Sequence, residues 1–205
     1  MIWEFFVSGG ITMIPLSFCS LLALMIVIYK LFDLRRVRFI DRDEVRLLRR
    51  MISEGDLKEA QYHCTKNSGV FTNIISRALE AAGGGELAIR EAIGEAGRYE
   101  VPKVERYLGT LRTIAAISPL LGLFGTVIGM IRVFNRIQEV GLGQAAQFSG
   151  GIAEALITTA TGLAIAIPTL VMYNYFVDRS EKIILEIEKN SADVMRQLIS
   201  NGERR

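Results

Sequence analysis

Between Glu154 and Asp178 the chain runs for 23 residues without a charge. A helix that crosses the hydrocarbon core of a bilayer needs ~20 such residues. Lipid offers no hydrogen-bond partners to the backbone, so a run of this kind folds as a helix that satisfies itself. Two further runs have the same character: residues 5–29 give 25 uncharged positions and residues 113–131 give 19. The first is too long for the apolar core of a signal peptide. It also lacks a basic start and a small-residue cleavage site, which makes it a retained span. The expectation is an all-α membrane protein, with three transmembrane helices and long cytoplasmic helical extensions.

Charge sets the expected topology. Residues 34–112 hold 15 Lys/Arg and 12 Asp/Glu, whereas residues 138–147 hold one Glu and no basic residue. Basic segments stay on the cytoplasmic side. The layout expected is therefore a short periplasmic N-terminus with the first span (1–33), a cytoplasmic helical region (34–112), the second span (113–137), a periplasmic loop (138–147), the third span (148–177) and a cytoplasmic C-terminal helix (178–205). Arg132 and Arg136, at the outer end of span two, run against this trend. Pairing with Glu139 and a place at a subunit interface both remain open for them.

Within the polar region the apolar spacing is helical. Asp41 is placed to cap a helix through Val45, Leu48, Met51 and Ile52. Gly55-Asp56 breaks it, Leu57 starts a second helix, and Ile74, Ile75, Ala78 and Leu79 mark a third. Gly83, Gly84 and Gly85 form a turn. From Glu86 a charged helix is expected to run directly towards span two, with Pro102 its only strong irregularity. Beyond Asp178 the spacing of Ile183, Ile187, Val194 and Leu198 continues span three as one long helix. Pro15 stands early in the first run and is expected to kink it.

Several function classes are set aside. Net charge is +2, which supplies no nucleic-acid footprint. Cys19 lies in an apolar run and Cys64 in a charged segment, so neither a disulfide nor a metal spacing follows. His63 is the only histidine and reads as a surface or packing residue. No catalytic set, phosphate loop, metal site or cofactor site stands out, which argues against an enzyme.

The chemistry lies in the spans. At 100° per residue Glu154, Thr158 and Thr161 fall within ~60° of each other, beside a stripe of Ala155, Thr159, Gly162 and Ala166. A membrane carboxylate is costly unless it meets a partner or a wet cavity. A position at the membrane edge, reaching into headgroups, is the alternative. In span two Ser118, Gly122, Gly125, Thr126 and Gly129 share a face of ~100°. Small residues let helices approach closely, and hydroxyls can bond across. Back-bonding of each Thr to its own helix is the bland alternative, as is a close-packed helix pair with no ion path.

SPLLGLFGTVIGMI in span two and GIAEALITTATGLAIAIPTLVMYN in span three resemble the signatures of the MotA/TolQ/ExbB proton-channel family, of the ExbB or TolQ type. The resemblance implies an inner-membrane homopentamer around a dimer of a single-span ExbD/TolR-type partner, whose membrane Asp carries the proton. The complex would use proton-motive force to drive a TonB- or TolA-type envelope protein. By match to the motifs, Thr126 and Thr159 are the polar lining beside that Asp, and Glu154 is the membrane carboxylate. Thr158 and Thr161 are secondary lining. Pro119 and Pro168 stand where the family often has Pro and shape the helices. Glu154 and Thr159 lie ~140° apart on an ideal helix, so one pore cannot receive both directly.

Overall fold

The computed structural model describes residues 9–34, 40–140 and 146–203. Its helices are α1 (Met13–Asp33), α2 (Arg42–Glu54), α3 (Leu57–Lys66), α4 (Val70–Glu80), a short 3-10 turn (Ala82–Gly84), α5 (Gly85–Val104), α6 (Leu108–Val140) and α7 (Ala146–Glu203). No strand occurs among the described residues. Three segments are long and apolar enough to cross a membrane: Met13–Asp33, Leu108–Gln138 and Ser149–Asn201. The chain is thus an all-α protein with three membrane-spanning helices. It divides into two compact units, Met1–Lys30 with Tyr107–Tyr175, and Leu31–Arg106 with Phe176–Arg205.

In the first unit, small residues set the spacing of α6 and α7. A Cβ added at Gly122 would stand 2.9 Å from the Thr158 carbonyl oxygen and 3.0 Å from Thr159 Cα. One added at Gly162 would stand 2.5 Å from the Ser118 oxygen and 3.1 Å from Gly122 Cα. Gly129 faces Ala155 Cβ and the Gly151 oxygen, each at 2.9 Å from such a Cβ. The two backbones therefore touch, as the small-residue faces predict. Large apolar side chains point the other way: Leu120, Leu123, Phe124, Leu156, Ile167 and Val171 are exposed. Only 22%, 33% and 28% of the apolar windows of α1, α6 and α7 are buried within the chain, so lipid or other chains must cover the rest.

Two expectations of helix extent are corrected. Among the described residues the first helix begins at Met13 and residues 9–12 are not helical, so the helix does not run unbroken from the start of the uncharged run; residues 1–8 lie outside the described residues. Pro15 consequently sits in the first turn, where its missing N–H had no helical acceptor to reach. The second correction concerns the approach to α6. The charged helix does not run straight into it: α5 ends at Val104 and α6 starts at Leu108. Pro102 takes one backbone donor from the last turn of α5. Tyr107 then adopts φ 69°, a left-handed conformation that costs a non-glycine residue ~1 kcal/mol or more. Its ring packs edge-on against Tyr29 with centroids 5.5 Å apart.

The second unit follows soluble-protein logic. Asp41 accepts from the Asp43 N–H and caps α2, as its position predicts. Gly55, at φ 88°, closes the helix with its N–H on the Ile52 and Met51 carbonyls, a left-handed cap that favours glycine. Leu48, Ile52, Phe71, Ile75, Ile187 and Val194 are buried. The Arg49 guanidinium donates to Asn190 Oδ1 at 2.8 Å and to Asp193 Oδ2, tying α2 to the distal part of α7. Asn201 Nδ2 donates to the Ile52 carbonyl at 2.6 Å.

The backbone contact of α6 with α7 makes a clear expectation. Gly122→Val must separate the two helices and lowers stability by about 1–3 kcal/mol. The unfolding midpoint in mixed detergent micelles reads this; an unchanged midpoint would mean the helices part without cost.

Candidate functional site

The helices α6 and α7 carry the polar side chains singled out in the sequence. Thr159 Oγ1 donates across the seam between them to the Gly122 carbonyl at 3.1 Å. It reaches because Gly122 and Gly162 bring the backbones together. The other hydroxyls turn inward on their own helices. Thr126 Oγ1 donates to the Leu123 carbonyl at 2.6 Å, Thr158 to Ala155 at 2.8 Å, Thr161 to Ile157 at 2.8 Å and Ser118 to Ile114 at 2.7 Å. Each oxygen still has lone pairs to accept from a partner or from water. Thr126 stands one turn along α6 from Gly122, and its hydroxyl and that of Thr159 bond to the consecutive carbonyls of Leu123 and Gly122. Both residues are half-buried, whereas Thr158 and Ser118 are fully buried.

Glu154 is not alone. Arg132 Nη1 donates to Glu154 Oε1, so the pairings considered for Arg132 in the sequence, with Glu139 or at an interface, missed its partner on α7. The side chain of Glu139 lies outside the described residues. Glu154 keeps 17% of its side-chain surface and Arg132 48%. The pairing follows from register. Gly129 meets Ala155; Arg132 is one turn beyond Gly129, and Glu154 precedes Ala155. The signal was present in the helix face that carries Gly125, Gly129 and Arg132, but it needed the register of α6 against α7.

The entry to α1 completes this end of the unit. Gly10, at φ +65°, lies so close to the pair that a Cβ there would overlap Glu154 Oε1 and stand 3.3 Å from Arg132 Nη1. Thr12, also buried, would stand 2.9 Å from a Cβ at Gly125. Glu154 and Thr158 thus face α1 and α6, while Thr159 faces Gly122. The separation of Glu154 and Thr159 on the helical wheel is real in space. Pro119 and Pro168 lie inside α6 and α7, each removing one backbone donor. Hydroxyls of Ser118 and Thr169 occupy the carbonyls of Ile114 and Ile165 nearby.

The second unit holds a groove of about 860 Å³ beside α3, α4 and α5, lined in part by Cys64, Ser76, Arg77, Glu95, Tyr99 and Glu100. His63 Nε2 stands 3.5 Å from Glu44 Oε1, both side chains largely buried, so this histidine is a packing residue. Burial, opposed by His63, raises the Glu44 carboxyl. Burial first, and then the Glu44 charge, push the Cys64 thiol up to about 12. A thiol held protonated is a poor nucleophile. Cys64 in the folded chain is therefore expected to react with iodoacetamide on the order of a hundredfold more slowly than a free thiol at pH 8. Peptide mass spectrometry after timed alkylation measures this, and rapid labelling would contradict the packing.

Residues 46–189 match the MotA/TolQ/ExbB proton channel family. An ExbB-like biopolymer transport protein of Synechocystis sp. is 32% identical over 176 residues, 82% of this chain and 81% of that protein. The biopolymer transport protein ExbB of Salmonella typhimurium is 34% identical over 171 residues, 77% of this chain and 70% of that protein. The Tol-Pal system protein TolQ of Pseudomonas aeruginosa is 41% identical over 113 residues, 53% of this chain and 49% of that protein. The family match takes in all of α6 and the α7 residues that face it. By these matches the chain belongs to the MotA/TolQ/ExbB proton channel family and is of the ExbB/TolQ type.

Proposed function

We propose that this chain is the multi-span subunit of an energy-transducing complex in a bacterial inner membrane. It assembles as a homopentamer around a single-span ExbD/TolR-type dimer and converts proton-motive force into work on a TonB- or TolA-type envelope protein. The N-terminus and residues 138–147 face the periplasm; residues 34–112 and 178–205 face the cytoplasm, where their basic residues belong. Thr126 and Thr159 line the path beside a carboxylate of the partner, with Thr158 and Thr161 as further polar lining.

The observation that carries this reading is the seam in a chain of this family: two half-buried hydroxyls, Thr126 and Thr159, on the two helices held together at Gly122. Other observations support it. A proton path needs groups that hold water or relay a proton, and the spans offer hydroxyls with spare lone pairs but a carboxylate already engaged by Arg132. That composition suits a subunit whose titrating group comes from a partner. The apolar faces left open on α1, α6 and α7 suit an assembly embedded in lipid.

Thr126→Val and Thr159→Val keep side-chain volume and remove the hydroxyl. Each is expected to leave assembly intact and to lower proton-motive-force-dependent activity in cells about fivefold or more, the scale of one lost hydrogen bond. Native mass spectrometry in mild detergent should show five copies, and affinity capture should bring a single-span protein with a membrane Asp. Full activity in both variants would remove the lining role and favour a non-conducting scaffold. A dominant monomer would remove the assembly.

A further inference from the structure

The function as stated so far uses Arg132 only as the group that engages Glu154, to which it donates across the helix seam. Three elements meet at this pair. Arg132 comes from α6, Glu154 from α7, and Gly10 of the entry turn to α1 lies against both, leaving no room for a Cβ. Thr12, two residues on, seats the same turn on Gly125. The neighbouring outward side chains are apolar: Ile131, Phe134, Ile152 and Leu156 are all exposed in the chain. In a membrane those faces meet hydrocarbon or other helices, so water screens the pair poorly. A surface ion pair contributes little, but loss of one member of a poorly solvated pair leaves the other uncompensated.

We propose that Arg132 is a positioning residue for Glu154. It holds the carboxylate beneath the entry turn of α1, and the Arg132–Glu154 pair acts as one functional unit. The guanidinium suits this task because it stays charged and presents several N–H donors in a rigid plane. One N–H serves Glu154, and 48% of the Arg132 side-chain surface stays uncovered by this chain. The carboxylate is thereby directed to α6 and α1, away from the direction taken by Thr159. The functional part of this inference rests on the reading of the chain as an energised subunit; the geometric part does not.

The test uses the full chain in lipid nanodiscs for hydrogen exchange, and cells for proton-motive-force-dependent activity. In R132M, amide exchange over residues 12–17 is expected to rise about tenfold as the entry turn loosens. Activity is expected to fall as far as in E154A, with the double variant R132M/E154A no worse than either single variant, as for two members of one unit. R132K keeps the charge and is expected to recover much of both readouts, as is the exchanged pair R132E/E154R. Unchanged exchange and activity in R132M would overturn the proposal. Raised exchange with full activity would overturn its functional part and leave a structural tie. Should R132M fail to insert, the exchanged pair decides: recovered protection supports the pair, and lost protection overturns it. If the energised reading itself fails, Thr126→Val and Thr159→Val are silent, while the exchange response still stands or falls by itself.

Discussion

The approach of Gly122 on α6 to Gly162 on α7 sets the geometry of the rest of the membrane unit. Lipid tails are as apolar as Leu, so two helices gain little from burying apolar area against each other in a bilayer. What remains is dispersion at close range and hydrogen bonds across the gap. Both require the backbones to touch, and both glycines stand where a Cβ would meet backbone atoms. From this spacing the other contacts follow by helical repeat. Thr159 reaches the Gly122 carbonyl, Gly129 meets Ala155, and one turn further Arg132 meets Glu154. A side chain at the first contact would therefore disturb an ion pair two to three turns away.

The helix α7, 58 residues long, shows how one chain obeys two solvents. Its first part exposes Leu156, Leu163, Ile167, Leu170 and Val171 and buries Ala155, Thr158 and Ala166. Its last part buries Ile187, Val194 and Leu198, and its Asp193 takes the Arg49 guanidinium. Large apolar groups point outward in one part and inward in the other. The first arrangement is costly in water and the second is ordinary there. Inside-out patterning along a single helix thus marks where the surroundings change, independently of any count of uncharged residues.

Much of this was legible because it depends on local spacing. Runs without charge gave the three spans, the wheel gave the small-residue faces, and Asp41 and Gly55 gave the bounds of α2. The features missed depend on contacts distant in sequence. The break before α6 is held where Tyr107 packs edge-on against Tyr29, a contact with the first span that Pro102 alone does not reveal. The start of α1 at Met13 was hidden because an uncharged run has no marked end when its turn residues, Gly9 to Thr12, are uncharged too. The partner of Arg132 needed the register of two helices. Periodicity gives each helix its face but not its height against a neighbour. The roles expected of Thr126, Thr159 and Glu154 in conduction came from resemblance, and geometry bears only on where they stand.

Satisfaction of the polar groups has a consequence for any ion path. Thr126, Thr158 and Thr161 have donated their protons to carbonyls of their own helices, Thr159 to a carbonyl across the seam, and Glu154 is held by Arg132. Each bond lowers the cost of placing a polar group among apolar ones. The same bonds oppose conduction, since a hydroxyl passes a proton only if it gives up the acceptor it already has. A neutral ion pair is likewise easier to hold in a low-dielectric layer than a lone charge, and harder to recruit. The chain by itself is in this sense a closed arrangement. On the proposed function, an incoming carboxylate has to compete for donors already in use, and the donor whose displacement costs least is the one it will take first. Thr126 bonds only within its own turn, so its hydroxyl can rotate to a new acceptor while α6 and α7 stay together. Thr159 cannot do so without giving up a contact that joins the helices. The two hydroxyls therefore differ in kind: one is free to exchange partners, and the other keeps the seam closed while that exchange occurs.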